Sequence, residues 1–141
     1  MTYKKYEFPK DVPLILSALL WMAYFEIAIR LKPLPDILSS IRNLKTSRTV
    51  SSEEAMIKLD KLWRACGFWS MRLSRNPRPC LRRSLVLYRW CKKRNVESRL
   101  FVGAGKDGKT LKGHAWISVY GTLYREDPVE LEKNYVIMLE G

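Results

Sequence analysis

The periodicity of the apolar residues changes once along this chain, near Val96. Before that residue, apolar side chains recur at the three- and four-residue spacing of an α-helix. After it they alternate with a period of two, which predicts strands near 97–103, 112–119, 122–127 and 135–139. Helices that come first and strands that follow predict an α+β fold, with N-terminal helices packed on a small antiparallel sheet.

Helix signals divide the first part of the chain. Residues 12–31 are apolar almost all round, and the prolines that follow end this helix because proline lacks an N–H donor. Residues 36–45 predict a short helix. Ser51-Ser-Glu-Glu54 is a capping box that opens a helix to about Cys66, with Gly67 as its stop. The connector 76–79 then precedes a helix over Cys80–Lys93, whose last turn is basic.

The length of 141 residues and the 47% hydrophobic content favour one compact unit with a real core. Within it we distinguish an apolar N-terminal helical region, residues 1–50, from the remaining core, residues 51–141. The stretch 12–31 is long enough for a membrane anchor, but Glu26 and Arg30 interrupt it and no signal-peptide cleavage site follows. We expect a buried or partner-facing helix, with a weak membrane contact through residues 12–31 as the alternative.

The chain has a formal net charge of +12, and its basic residues are concentrated in one segment. Between Arg72 and Arg99, ten lysines and arginines accompany a single acid, Glu97. Such a patch indicates an acidic partner, although a solvated basic face gives the same pattern. The sequence shows neither a helix-turn-helix nor closely spaced cysteine and histidine ligands. We therefore expect neither a nucleic-acid partner nor a zinc site.

The stretch 103-GAGKDGKT-110 matches the phosphate-binding loop G-x-x-x-x-G-K-[ST] letter for letter. Such a loop lies between a strand and a helix that opens at the Lys-Thr pair. The residues after Thr110 are instead aromatic and β-branched, which predicts a strand. Asp107-Gly108 favours a type I′ turn. The segment therefore predicts a hairpin tip, and we expect no nucleotide or other cofactor.

The three cysteines differ in their predicted electrostatic surroundings. Cys66 lies at a predicted helix end, and Cys91 lies in a last helical turn, where the helix dipole disfavours a thiolate. Cys80 lies at a predicted helix start, where free N–H groups and nearby arginines stabilise a thiolate. Cys80 is therefore the candidate nucleophile. Three irregularly spaced cysteines also predict no disulfide scaffold, which suits a reducing cytoplasm.

His114 is the only histidine of the chain, so any Cys–His catalysis must use it. Tyr120-Gly121 predicts a two-residue hairpin turn. Counting along the resulting register places Asp127 opposite His114, where its carboxylate can orient the imidazole. A slip of one residue would substitute Glu126. A lone histidine also fits a structural role, and Asp127 also fits an ordinary Asp-Pro turn.

A cysteine at a helix start, then a histidine and a carboxylate on paired strands, is the order found in the transglutaminase-like branch of the papain-type fold. The runs 80-CLRRSLVLYRW-90 and 113-GHAWISVYG-121, with Asp127 after them, resemble the lasso-peptide leader peptidases. These are small transglutaminase-like cysteine proteases of lasso-peptide biosynthesis. Members of that family often have glycine where this chain has Asn95, a residue that also tolerates left-handed backbone.

The resemblance implies a cysteine protease that cuts a precursor peptide between leader and core. Cys80 would be the nucleophile, His114 the general base and acid, and Asp127 the orienting group. The resemblance implies no cofactor and a cytoplasmic location. It also implies two partners: a separate leader-recognition protein, since the chain is too short to hold that domain, and a cyclase. The alternatives are an inactive basic binding module and another acyl-transfer or amidase enzyme of the same fold.

Overall fold

The computed structural model describes residues 10–73, 80–107 and 109–141. Over these ranges the chain forms five α-helices and one four-stranded antiparallel sheet, so the predicted α+β class is confirmed. The helices are α1 Val12–Leu31, α2 Leu34–Arg42, α3 Ser52–Leu73, α4 Cys80–Lys93 and α5 Pro128–Asn134. The strands are β1 Ser98–Asp107, β2 Thr110–Val119, β3 Thr122–Leu123 and β4 Val136–Glu140, in the sheet order β3-β2-β1-β4.

Helix α1 has two faces with different surroundings. The inner face packs against α3 and α4 and buries Ala18, Met22, Phe25 and Ala28. The outer face exposes an apolar stripe that consists of Leu16, Leu20, Tyr24, Ile27 and Leu31. Helix α1 is long and apolar enough to cross a membrane, but a helix that buries one face in a protein core has the same length and composition. The membrane contact therefore stays a prediction.

Helix α3 is longer than the sequence pattern predicted. It opens with a cap, because Ser51 Oγ accepts a hydrogen bond from the Glu54 N–H at 3.2 Å. The predicted stop at Gly67 is wrong, since the helix runs past it. Glycine weakens a helix, but packing can hold the turn that follows. Here Trp69 Nε1 donates a hydrogen bond to the Ile15 carbonyl at 3.0 Å, which joins that turn to α1.

The stretch that matches a phosphate-binding loop forms part of a hairpin. Strands β1 and β2 pair in register from Ser98↔Val119 to Asp107↔Thr110. Thr110 therefore begins a strand and not the helix that a phosphate-binding loop requires. Of the predicted turn, Gly108 lies outside the described residues, as does the connector 76–79.

The second hairpin turn lies at Tyr120-Gly121, as predicted. Both residues have positive φ, 52° and 79°, which a type I′ turn requires. The strand predicted over 122–127 is too long, because β3 pairs with β2 only over Thr122–Leu123. Residues 128–134 form α5, which the alternating pattern did not predict.

The interface between α4 and the sheet positions the residues described next. Tyr88 of α4 is buried in the same cluster as Leu100 and Ile117 of the sheet. Ser84 Oγ donates a hydrogen bond to the Ala115 carbonyl at 3.2 Å, which fixes the first turns of α4 against β2. The cluster contains side chains from residues 1–50 as well as from residues 51–141, so the two regions share one hydrophobic core.

Candidate active site

Cys80 is the first residue of α4, at the helix end where backbone N–H groups are free. The side chain is half-buried, and burial alone would raise the pKa of the thiol. Hydrogen bonds from His114 and from the backbone at Ala115 and Leu81 outweigh that effect, so the pKa of Cys80 lies below that of an ordinary cysteine. This environment favours a thiolate nucleophile.

His114 lies on β2 and contacts both the thiol and a carboxylate. Its Nε2 atom is 2.7 Å from Glu126 Oε1, so Nδ1 is the ring nitrogen that remains for an interaction with Cys80. The hydrogen bonds with Cys80 and Glu126 raise the pKa of His114 to about 9, although burial opposes them. Sulfur, imidazole and carboxylate are therefore joined in one series of contacts.

The carboxylate beside His114 belongs to Glu126, which corrects the expectation that Asp127 faces the ring. The predicted pairing of β2 with β3 holds as far as Leu123. Arg125 then adopts a left-handed conformation, with φ 56°, which breaks the alternation that register counting assumes. Asp127 instead caps α5, because its Oδ1 accepts a hydrogen bond at 3.0 Å from a backbone N–H of that helix.

Contacts with α3 hold the backbone of Arg125 in this conformation. The guanidinium forms an ion pair with Asp60. Its Cζ atom also lies 4.2 Å from the centre of the Trp63 ring. These contacts anchor the residue immediately before Glu126, and they thereby position the Glu126 carboxylate against His114.

Two aromatic rings pack against the imidazole of His114. The ring centroids of Trp116 and Tyr135 lie 5.6 Å and 5.2 Å from it, with interplanar angles of 25° and 29°. Gly103 pairs with His114 across the hairpin and leaves room for these rings, because a Cβ there would lie 2.9 Å from Trp116. Electron-rich ring faces stabilise a protonated imidazole, so this packing supports the same charge state as Glu126 does.

Cys66 and Cys91 have a different environment from that of Cys80. Both are buried, and burial raises the pKa of each thiol to about 12. Cys66 lies inside α3 and not at a helix end, because the helix continues beyond Gly67. Neither thiol ionises near neutral pH, so Cys80 is the cysteine in this chain with nucleophilic character.

The basic segment between Arg72 and Arg99 is not a uniform solvated face. Arg82 pairs with Glu26 at 2.8 Å, and Arg99 pairs with Glu140. Three further guanidinium groups lie within 4.6 Å of a tryptophan ring centre: those of Arg83, Arg89 and Arg94. Much of the charge in this segment is therefore used in contacts within the molecule.

Residues 21–140 match the family model of the transglutaminase-like superfamily. The match runs from the middle of α1 to the end of β4, and the chain belongs to this superfamily. The superfamily includes cysteine proteases and acyltransferases. Comparisons with curated proteins and with solved structures give no significant match. Within the ranges that the structure describes, no group of three or more potential ligand side chains could hold a metal ion.

Four residues around the site were not predicted, and they are Asp60, Trp63, Arg125 and Tyr135. For α5 the sequence does contain a signal. Asp127 is followed by proline at the first helical position and by Glu130 in the first turn, which is typical of a helix start. That pattern assigns Asp127 to a cap. The ion pair of Arg125 has no comparable local signal.

Proposed function

We propose that this protein is a cysteine peptidase in which Cys80 is the nucleophile, His114 the general acid and base, and Glu126 the orienting residue. The observation that carries the proposal is the position of His114. It lies 2.7 Å from Glu126 and close enough to Cys80 that each of the two side chains shifts the pKa of the other. Membership of a superfamily that includes cysteine proteases supports the same chemistry.

Acylation follows from the protonation states of these groups. The Cys80 thiolate attacks the carbonyl carbon of the scissile amide, and negative charge develops on the carbonyl oxygen. The free N–H groups at the start of α4, including that of Cys80, can stabilise this oxygen. The His114 imidazolium then gives its proton to the departing amine. A thioester remains on Cys80, and the first peptide product leaves.

Hydrolysis uses His114 in the opposite sense. The neutral imidazole accepts a proton from water as the water oxygen attacks the thioester carbonyl, and the Cys80 thiolate leaves. Glu126 binds Nε2 in both steps, so that Nδ1 stays directed at the sulfur. An amine that replaced water would give acyl transfer instead, because the same three groups support both reactions.

We propose a ribosomally made lasso-peptide precursor as the substrate, which would be cut between leader and core. This part rests on the resemblance of 80-CLRRSLVLYRW-90 and 113-GHAWISVYG-121 to the lasso-peptide leader peptidases. In this scheme a separate leader-recognition protein presents the precursor in the cytoplasm. A separate cyclase then joins the freed N-terminus of the core to an acidic side chain.

Mass spectrometry of candidate precursors incubated with the protein, with and without a recognition protein, tests the proposal. We expect two peptides whose masses sum to that of the precursor plus one water. Cys80→Ala should abolish cleavage without changing the circular dichroism spectrum, whereas Cys66→Ala and Cys91→Ala should remain active. Full cleavage by Cys80→Ala would refute the proposal that this protein is a cysteine peptidase with Cys80 as its nucleophile. An N-terminal fragment heavier than the hydrolysed one by the mass of an amine less one water would indicate acyl transfer.

A further inference from the structure

Arg83 lies on α4 three residues after Cys80, so the two side chains are neighbours on one face of the helix. Its Cζ atom is 4.2 Å from the centre of the Trp63 ring. Its Nη1 atom passes close to Gly67 of α3, where a Cβ would lie 3.7 Å from it. The guanidinium is thus held in a half-buried position beside the nucleophile.

Among the described residues, the guanidinium of Arg83 differs from those of Arg82 and Arg125 in having no carboxylate within ion-pairing distance. Arg82 pairs with Glu26, and Arg125 pairs with Asp60. For Arg83, no carboxylate from residues 10–73, 80–105 or 109–141 lies within ion-pairing distance. Burial lowers the pKa of Arg83, and Arg125 adds to this effect, whereas the nearby groups Cys66, Cys80 and Glu126 oppose it. A partly desolvated cation in this position gains stability when an anion binds.

We propose that Arg83 is an anion-binding residue of the active site, which binds a carboxylate of the substrate peptide next to the scissile bond. The planar guanidinium presents parallel N–H donors that match the two oxygens of a carboxylate. Packing on Trp63 limits the motion of the guanidinium, so little side-chain entropy is lost on binding. The inference rests on the proposed function, since it assigns a substrate chemistry to the same site.

Arg83 and Arg125 share the Trp63 ring but would have different roles. Each Cζ atom lies 4.2 Å from the centre of that ring. Arg125 pairs with Asp60, a carboxylate that it shares with Arg64, and it serves to position Glu126. Arg83 lies near Glu126 and Cys80 but forms no ion pair with a described carboxylate, so a carboxylate of a ligand can bind it. A purely structural role for Arg83 would require only its packing on Trp63, and that role predicts no preference between anionic and neutral reagents.

Alkylation of Cys80 separates these two roles without any need for the natural substrate. Iodoacetate and iodoacetamide both form a bond from the Cys80 sulfur to carbon and release iodide, but only iodoacetate carries a carboxylate. We expect Arg83→Gln to lower the ratio of the iodoacetate rate to the iodoacetamide rate by about three- to tenfold. Arg83→Lys keeps the charge and should retain most of the ratio.

Arg89→Gln is the matched control. Arg89 is also a half-buried arginine of α4, and its Cζ atom lies 3.4 Å from the centre of a tryptophan ring, that of Trp21. The two glutamine variants have the same net charge. Equal ratios in both variants would assign any preference for iodoacetate to the overall charge of the protein and would overturn the proposal.

A peptide assay then tests the carboxylate in the substrate. For a cleaved peptide with glutamate beside the scissile bond, replacement by glutamine should raise KM for the wild type and leave KM unchanged in Arg83→Gln. An equal response of the two proteins would also overturn the proposal. A failure of the peptidase function is distinguishable, because it would appear as intact precursor while the alkylation ratio still responded to Arg83→Gln.

Discussion

Adjacent acids at positions 126 and 127 have different roles because one backbone conformation separates them. The left-handed Arg125 directs Glu126 to His114, whereas Asp127 begins α5. Both carboxylates have the same charge and nearly the same place in the sequence. The residues packed around each acid, and not its charge or its sequence position, therefore decide which of the two can orient the imidazole.

Substitution of these two acids tests the assignment. We expect Glu126→Gln to lower kcat/KM for peptide cleavage by about 10² to 10⁴-fold, because the imidazolium loses its counter-charge. Asp127→Asn should change kcat/KM less than about twofold, because asparagine is also an effective helix cap. Steady-state kinetics on one cleaved peptide compares the variants. A large loss in Asp127→Asn together with an active Glu126→Gln would reverse the assignment.

The pH dependence of activity should report the charge of His114. Its raised pKa, about 9, means that the imidazolium is present up to that pH and is lost above it. The same shift stabilises the fold fully below the unfolded-state pKa of about 6.5, and this contribution disappears as the pH rises through about 9. We expect kcat/KM to fall above about pH 9.

Glu126→Gln should move the alkaline limb of that profile to lower pH, because one cause of the raised pKa of His114 is removed. The lowered pKa of Cys80 should place the acidic limb below the pH at which a free cysteine ionises. The rate of iodoacetamide labelling at each pH measures this second limb. An alkaline limb that does not move in Glu126→Gln would mean that another group titrates there.

At the scale of elements, α3 shows that a glycine can occupy a helix interior without ending the helix. Packing of Trp69 on α1 stabilises the turn after Gly67. The capping box at Ser51 and the histidine-bearing hairpin depend on local chemistry and match the predictions. The bounds of an element therefore followed local signals except where a contact with another element was stronger.

Gly67→Ala should stabilise the protein by about 0.5 to 1 kcal/mol, because alanine favours the helix and restricts the unfolded chain. Among the described residues outside the adjoining turns of α3, the added Cβ would meet Arg83 Nη1 at 3.7 Å, which is an ordinary contact. Gly105→Ala is the contrasting variant. Its Cβ would collide with the Asn134 carbonyl oxygen, so it should destabilise the protein. Urea unfolding measures both changes, and a destabilised Gly67→Ala would contradict the explanation.

At the scale of the whole molecule, a buried ion pair connects the start of α1 to α3. Asp11 is fully buried, and its Oδ2 atom lies 2.8 Å from Lys61 Nζ. Lys58 Nζ lies farther away, 3.7 Å from Oδ1, and is more exposed. A buried carboxylate that loses its closest cation is costly, because water cannot replace the lost contact.

Lys61→Met should therefore destabilise the protein by about 3 kcal/mol, and Lys58→Met by less than about 1 kcal/mol. Asp11→Asn combined with Lys61→Met should recover part of the loss, since neither member of the pair is then charged. Thermal or urea unfolding of the three variants gives the comparison. Equal losses for the two lysine variants would show that the ion pair is not the cause.

The local sequence determined where many of the helices, turns and strands of this protein begin and end. The helix that begins at Cys80, the turn at Tyr120-Gly121, the left-handed Asn95 and the pairing of β1 with β2 all follow from residues close to one another in the chain. Capping, dihedral preference and apolar periodicity act over a few residues, so they are visible without a structure. Cys80 and His114 are far apart in the chain, and the sequence suggested their contact because Cys80 lies at a helix start and His114 is the only histidine.

Only the tertiary structure decided which carboxylate meets His114, and that Arg83 beside Cys80 forms no ion pair with the described carboxylates. Asp60 and Trp63 lie more than sixty residues before Arg125, yet their contacts set the backbone that directs Glu126. Gly67 remains inside a helix for the same reason, since α1 holds the turn after it. Contacts between distant segments select among conformations that local preferences leave nearly equal in free energy, and a sequence pattern does not record which contact forms.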